Sequence, residues 1–317
     1  MSRSVGAGAA GTSGLLVALA ALAAVCLWAG TVAVTKVAVT ALDPLAVALL
    51  RTLVAGLLAL PLAVASLALR PRGLRTWRRL SVSGLGAYVL FPILFTLGMA
   101  QTSGVHAALI MAGLPVFTGL FSAAFERAWP GRRWWLGTGV ALAGTAWLIL
   151  GQGRNDGGAS LTGDLLVLVG CLASSFGYVV GGRAARDISA WQVTLWGLVL
   201  ASVLLLPLLA WTDLSGLAGS GSDIWLSIAY LALASSLLAY ALWYWALARG
   251  DMARTGAIQF LQLPIALGLA ALILGEALTL TLLVTGAVIL AGVWLAQTAK
   301  RPARADTRNA KQGETSK

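Results

Sequence analysis

Residues 43–62 read DPLAVALLRTLVAGLLALPL, and one arginine, Arg51, stands in the first half of this apolar run. The next charge after it is Arg70. About 20 apolar residues is the length an α-helix needs to cross a hydrocarbon core. A guanidinium at the centre of such a helix costs at least ~2.5–3.5 kcal/mol on the insertion scale, and residues of this kind face a cavity or a partner. The stretch therefore fixes two expectations: the fold is a membrane fold, and Arg51 has a task within it.

The rest of the chain agrees. Of its 317 residues 59% are hydrophobic and 10% are charged, and mean hydropathy is +0.88. Soluble domains carry about 25% charged residues. The net charge of +11 is spread in short clusters between apolar runs, which is a polytopic membrane pattern and not a nucleic-acid footprint. The only two cysteines, Cys26 and Cys171, lie in apolar runs and read as buried structural thiols. With one histidine, His106, and no Cys/His cluster, neither metal nor cofactor is expected.

Ten apolar runs are candidate spans: 15–38, 44–69, 80–101, 104–125, 133–151, 163–182, 190–211, 223–247, 254–274 and 279–298. None alternates in polarity, so a barrel is excluded. The first run is too long for the ~7–15-residue core of a signal peptide and reads as a retained span. Residues 1–14 and 299–317 are polar, small-residue tails expected to be disordered. With the N-terminus in the cytoplasm, alternation puts nineteen of the 22 basic residues inside, among them Arg70, Arg72, Arg75, Arg78 and Arg79. Only Arg154 falls clearly outside, and Lys36 and Arg51 lie within spans. The expected protein is a multi-pass cytoplasmic (inner) membrane protein with both termini cytoplasmic. Trp77, Trp134, Trp135 and Trp191 fall at span ends, where interfacial aromatics belong.

The runs repeat. CLWAGTVAVTKVAVTALDPLAVALLRTLVAGLLALPLAV from Cys26 parallels CLASSFGYVVGGRAARDISAWQVTLWGLVLASVLLLPLLA from Cys171: each opens Cys-Leu, meets an aspartate about 16 residues on, and closes with Leu-Pro-Leu. Pro115 and Pro264, each inside a run, are followed 11 and 12 residues later by Glu126 and Glu276 and then by a Gly-containing run. Residues 15–151 and 163–298 are thus two five-span repeats. Five is odd, so the halves have opposite orientation, an arrangement typical of secondary transporters. The expected fold class is an all-α integral membrane protein of ten transmembrane helices in two inverted five-helix repeats.

These residues resemble the EamA-type transporters of the drug/metabolite transporter (DMT) superfamily. The likeness rests on LWAGTVAVTK (Trp28, Lys36), DPLAVALLR (Pro44, Arg51), and the closing series Pro264, Gly275-Glu276, Leu278-Thr279, Gly286 and Gly292. It covers about residues 15–298. The first half departs from the pattern where Glu126 is followed by RAWPGRR instead of Leu-Thr. The resemblance implies movement of small metabolites, often export of amino acids or amphipathic compounds.

Candidate site residues follow. Lys36 and Arg51 are read as neighbours in the outer half, forming a basic vestibule for an acidic substrate group. The alternatives are snorkelling to the headgroups, or structural pairing with Asp43 or with helix C-terminal carbonyls. In the repeat, Lys36 corresponds to Gly181 and Arg51 to Trp196, so neither cation has a basic copy. Tyr240, Tyr244 and Trp243 are an aromatic wall or an interfacial belt. Pro115 and Pro264 are helix breaks, with Gln259 and Gln262 placed to line the second. His106 is read as a solvated helix start, with a proton-coupling role as the alternative, and Glu126 and Glu276 as solvated turn residues. No carboxylate is read as lying in mid-membrane. Gly177 and Gly181 have GxxxG spacing, explained better by packing within the chain than by a homodimer, which remains the alternative.

The function expected is a secondary transporter of small organic metabolites, an exporter of amino acids or related amphipathic compounds, working by alternating access and not as an enzyme. The alternatives are a broad-specificity drug/metabolite exporter and a non-transporting membrane sensor. Its partners are a small-molecule substrate and the lipid bilayer. Nucleic acid is not expected as a partner, and without a Walker A sequence no ATPase subunit is implied.

Overall fold

A computed structural model describes residues 6–66, 71–127, 129–152, 159–185, 187–249 and 258–298. The expected tail at 299–317 and the basic residues Arg3, Arg70, Arg154, Arg186 and Arg254 lie outside them. Among the described residues every regular element is helical, and eight helices are long and apolar enough to cross a membrane. These are α1 (Gly6–Ala41), α2 (Pro44–Ala65), α3 (Leu74–Met99), α4 (Gly104–Glu126), α6 (Leu161–Ala184), α7 (Ala190–Trp211), α8 (Ser222–Ala246) and α10 (Leu280–Gln297). Two further helical segments sit between them. They are α5 (Arg132–Trp147, continued as a π-helix over Leu148–Gln152) and the shorter apolar α9 (Gln259–Leu274). Helix α1 begins at Gly6, within the stretch expected as tail.

Short polar residues set the starts. Asp43 accepts from the amides of Leu45 and Ala46, with Pro44 in the first turn, and so opens α2. Ser103 caps α4 through His106 N, Ser160 caps α6 through Gly163 N, Ser189 caps α7 through Gln192 N, and Thr279 caps α10 through Leu282 N. Asp43 is committed to this cap, which removes it as a partner for Arg51.

The helices pack in a regular scheme. α5 lies on α10 and α2 on α7; α1 packs on α8 and α9, and α6 on α3 and α4. Two cores result. One gathers Phe91, Phe95, Leu109, Phe117, Cys171 and Leu263, and the other Trp28, Leu49, Tyr88, Leu198, Tyr240 and Tyr244. Leu57, Leu60, Leu272, Leu280 and Val284 point outward, as lipid-facing side chains do. Cys171 is buried and Cys26 is exposed, so only one of the two thiols takes the expected core position; both are free.

The tightest backbone approach at a described glycine joins α5 and α10. A β-carbon on Gly137 would stand 2.3 Å from the Ala296 amide, and one on Gly292 2.4 Å from that of Ala141. The two backbones touch, and only glycine permits it. Gly177 and Gly181 lie against Ser83 and Ala87 of α3, so their spacing serves packing within the chain.

Helices α3 and α8 each widen to a π-helix, over Leu85–Leu90 and Tyr230–Leu238. Such segments recur at functional sites because they free backbone groups and re-aim side chains. Both face the second core.

Candidate functional site

Arg51 is 3% exposed, about two turns past the Asp43 cap of α2. Burial this deep rules out snorkelling. Its Nη2 donates to Ser235 Oγ and Ser236 Oγ, both at 3.2 Å, in the π-helical part of α8. The π-turn makes this possible: Ser236 Oγ donates to the Leu231 carbonyl five residues back, and Thr31 Oγ1 shares a 2.8 Å bond with Ser235 Oγ. Arg51 Nε and Nη1 are buried without a hydrogen-bond partner. A buried guanidinium with open N–H groups and, among the described residues, no carboxylate partner is an unfinished site. Each edge of the guanidinium fork includes Nη2. A carboxylate taking an edge therefore replaces one long serine contact with a charge-assisted pair.

Aromatic rings close around this point. Trp28 donates from Nε1 to the Ser235 carbonyl at 3.2 Å and meets Tyr240 edge-on at 5.1 Å and Trp243 at 5.5 Å. Tyr240 also packs against Tyr88 at 5.0 Å and shares a 2.8 Å hydroxyl–hydroxyl bond with Tyr178. Tyr178 and Tyr240 lie close enough to Arg51 to interact electrostatically. The structure thus brings Trp28, Arg51, Tyr240 and Trp243 into one cluster spanning α1, α2 and α8. An arginine beside aromatic faces suits a ligand with an acidic end and an apolar or cationic body.

A second cluster lies between α1, α4 and α9. A cavity of about 20 Å³, room for little more than a water molecule, is lined by Val32, Met111, Pro115, Gln259 and Gln262 among others. Pro115 and the two glutamines come together here, whereas Pro264, whose break the glutamines were expected to line, is not among the lining residues. The prolines themselves sit differently from a mid-helix kink. Helix α4 breaks at Ala112–Gly113 and restarts at Leu114 with Pro115 in the new first turn. Pro264 stands in the first turn of the α-helical part of α9, where a missing N–H costs nothing, and its ring is exposed.

Lys36 belongs elsewhere. Its Nζ donates to the carbonyls of Met99, at 2.8 Å, and Thr102, at the C-terminal end of α3. These partners are disjoint from those of Arg51, so the two cations share no hydrogen-bond partner. Lys36 instead takes the helix-C-terminus alternative, in the field of Glu276. Glu276 is no free turn residue: its two oxygens accept from Gly104 N and Val105 N at 2.7 Å each, at the start of α4. Gly275 makes this reach possible by closing α9 at φ +67°. Glu276→Gln puts an amide NH₂ against one of the two donors. It is expected to lower the stability of the folded protein by about 1 to 2 kcal/mol, read as a drop in melting temperature in detergent.

His106 is corrected outright. It is 1% exposed, and Nδ1 lies 2.9 Å from Asp164 Oδ2, a carboxylate equally buried in the first turn of α6. Sequence reasoning missed Asp164, Ser235, Ser236 and Thr31. An acid in a first helical turn is unremarkable by itself, and serines carry no signal until a partner is known.

Comparison with known proteins matches the EamA-like transporter family over residues 15–150 and again over 161–298. The chain belongs to this family. The two matched blocks correspond to the two sequence repeats, and family members are transporters. "Uncharacterized transporter YdeK" of Bacillus subtilis is 32% identical over 252 residues, covering 80% of this chain and 86% of its own. "Uncharacterized inner membrane transporter YedA" of Escherichia coli K12 is 31% identical over 222 residues, 67% of this chain and 68% of its own. "Probable terminal-alkyne amino-acid exporter" of Streptantibioticus cattleyicolor is 29% identical over 254 residues, 76% and 83%. A solved structure described as "Crystal structure of protein" matches with TM-score 0.63 at 20% identity, covering 88% of this chain and 96% of that one. That likeness speaks for the fold.

Proposed function

We propose that this EamA-family chain is a secondary transporter that exports small organic metabolites bearing an acidic group across the cytoplasmic membrane by alternating access. The observation that carries the reading is Arg51, buried with Nε and Nη1 unpartnered among aromatic rings. A structural arginine in a low-dielectric core would be saturated or paired. One that waits for its counter-charge fits a substrate carboxylate, as on an amino acid. The name carried by the Streptantibioticus relative points the same way.

Ten spans in two inverted halves are part of the proposal, and the packing supports them. Exchanging each helix for the one five places along turns α1·α8 into α6·α3 and α1·α9 into α6·α4, and leaves α5·α10 and α2·α7 unchanged. The paired π-helices in α3 and α8, and the paired helix restarts before Pro115 and Pro264, follow the same exchange. Two such halves can trade conformations and so expose one site alternately to each side. Both termini in the cytoplasm are part of the same proposal, which the clustering of basic residues supports.

The test is release from proteoliposomes loaded with a mixture of amino acids, related metabolites and neutral or cationic amphipaths, read by mass spectrometry. Selective loss of carboxylate-bearing solutes supports the reading. Release led by neutral and cationic amphipaths would favour a broad drug/metabolite exporter built on the aromatic cluster. No release of any solute would overturn transport.

A further inference from the structure

Asp164 and His106 lie away from the Arg51 cluster and serve no role in it. Both are 1% exposed. His106 Nδ1 and Asp164 Oδ2 are 2.9 Å apart, Thr102 Oγ1 donates to Asp164 Oδ1, and Ser103 Oγ accepts from His106 N. His106 Nε2 is buried with no partner. The charged groups facing the pair from the surrounding helices are few. Lys36 of α1 holds the Thr102 carbonyl, and Glu276, after α9, holds the amides of Gly104 and Val105. Helix α10 brings no ionisable residue, and beyond Asp164 the next titratable group along α6 is Cys171, two turns deeper.

The charge balance of this cluster turns on one proton. Lys36 and Glu276 are only part-buried and offset each other, so with His106 neutral the fully buried Asp164 carboxylate leaves a net −1. With His106 as imidazolium the sum is zero. A buried net charge is costly, and pairing with full neutralisation relieves that cost. The cluster also ties the halves together: His106, Gly104 and Lys36 belong to the first, Asp164 and Glu276 to the second. Protonation therefore favours the state in which this end is closed, and deprotonation favours its opening.

We propose that the His106–Asp164 pair is a proton-binding site that couples flux through this chain to a proton gradient. The coupling rests on the transport reading above, while the binding site itself does not. One proton adds to the imidazole ring, Asp164 holds the resulting imidazolium, and the same proton leaves when the halves part. The second substrate class of this transporter is then the proton.

Two measurements test it. His106 is the only histidine in the chain, so histidine-labelled protein in lipid nanodiscs, purified on a histidine-free tag, gives a single imidazole signal. Across a pH series its ¹⁵N shifts are expected to pass from the neutral to the imidazolium pattern, and Asp164→Asn is expected to displace that passage. A ring that keeps one form throughout, or a passage that ignores Asp164→Asn, overturns the site regardless of any flux. In proteoliposomes, an imposed pH gradient is expected to change wild-type net flux severalfold. His106→Gln is expected to keep gradient-free exchange and lose that response. Exchange with a gradient response equal in wild type and His106→Gln overturns the coupling and leaves transport standing, whereas no exchange in any vesicle overturns the transport reading and the coupling with it.

Discussion

Arg51→Ala is expected to cut the flux of carboxylate-bearing solutes about 10- to 100-fold, the span that follows from losing a charge-assisted hydrogen bond worth about 1.5–3 kcal/mol. The protein should stay folded. Ser236 keeps its bond to the Leu231 carbonyl and Ser235 its bond to Thr31, so the truncation strands neither hydroxyl. It also removes a buried charge that is paired with no carboxylate among the described residues. Arg51→Lys should recover little, because an ammonium cannot offer a planar edge to a carboxylate. Lys36→Ala is the internal contrast. It should lower the melting temperature by uncapping the Met99 and Thr102 carbonyls, and leave the preference for acids in place. Flux measured in proteoliposomes beside thermal melts separates these outcomes; a loss of acid preference in Lys36→Ala equal to that in Arg51→Ala would restore a shared vestibule.

Gly137→Leu is expected to be the most damaging substitution away from the site. A β-carbon at residue 137 already meets the Ala296 amide at 2.3 Å, and the contact is backbone, which cannot rotate aside. Leucine must part α5 from α10 over the whole stretch where Gly137, Ala141, Gly292 and Ala296 interlock. The cost should reach or exceed the upper end of the ~1–3 kcal/mol typical of overpacked cores. The measurement is the thermal melt and the monodisperse fraction on size exclusion. Gly139→Leu, where a β-carbon would meet nothing within 4 Å, should melt close to wild type. Equal melting of the two variants would contradict the close α5·α10 packing.

Much of this could be read in the residues. Hydropathy located the helices, since lipid-length runs need no tertiary context, and the two repeats emerged from matched Cys, Pro and Gly positions. Arg51, Tyr240 and Trp243 stood out because an arginine among leucines and aromatics at helical spacing are each anomalous, and Trp28 because it carries the family resemblance. Lys36 was legible as unusual but was given the wrong neighbour. Its partners are backbone carbonyls at the end of α3, and carbonyls carry no sequence signal. Asp164 failed for a related reason. An acid in a first turn matches the helix dipole, and its burial comes only from the α3–α4 corner folding over it. The prolines read as kinks because the restarts at Leu114 and Gln262 are settled by local backbone turns and not by composition.

The central claim is that Arg51 receives the acidic group of the substrate. The direct measurement compares an exported amino acid with its decarboxylated amine, each loaded in proteoliposomes of wild type and of Arg51→Ala. The account predicts that wild type releases the acid at least about tenfold faster than the amine, and that Arg51→Ala releases both at similar, slow rates. The same preference for the acid in both proteins would contradict it and place the carboxylate elsewhere.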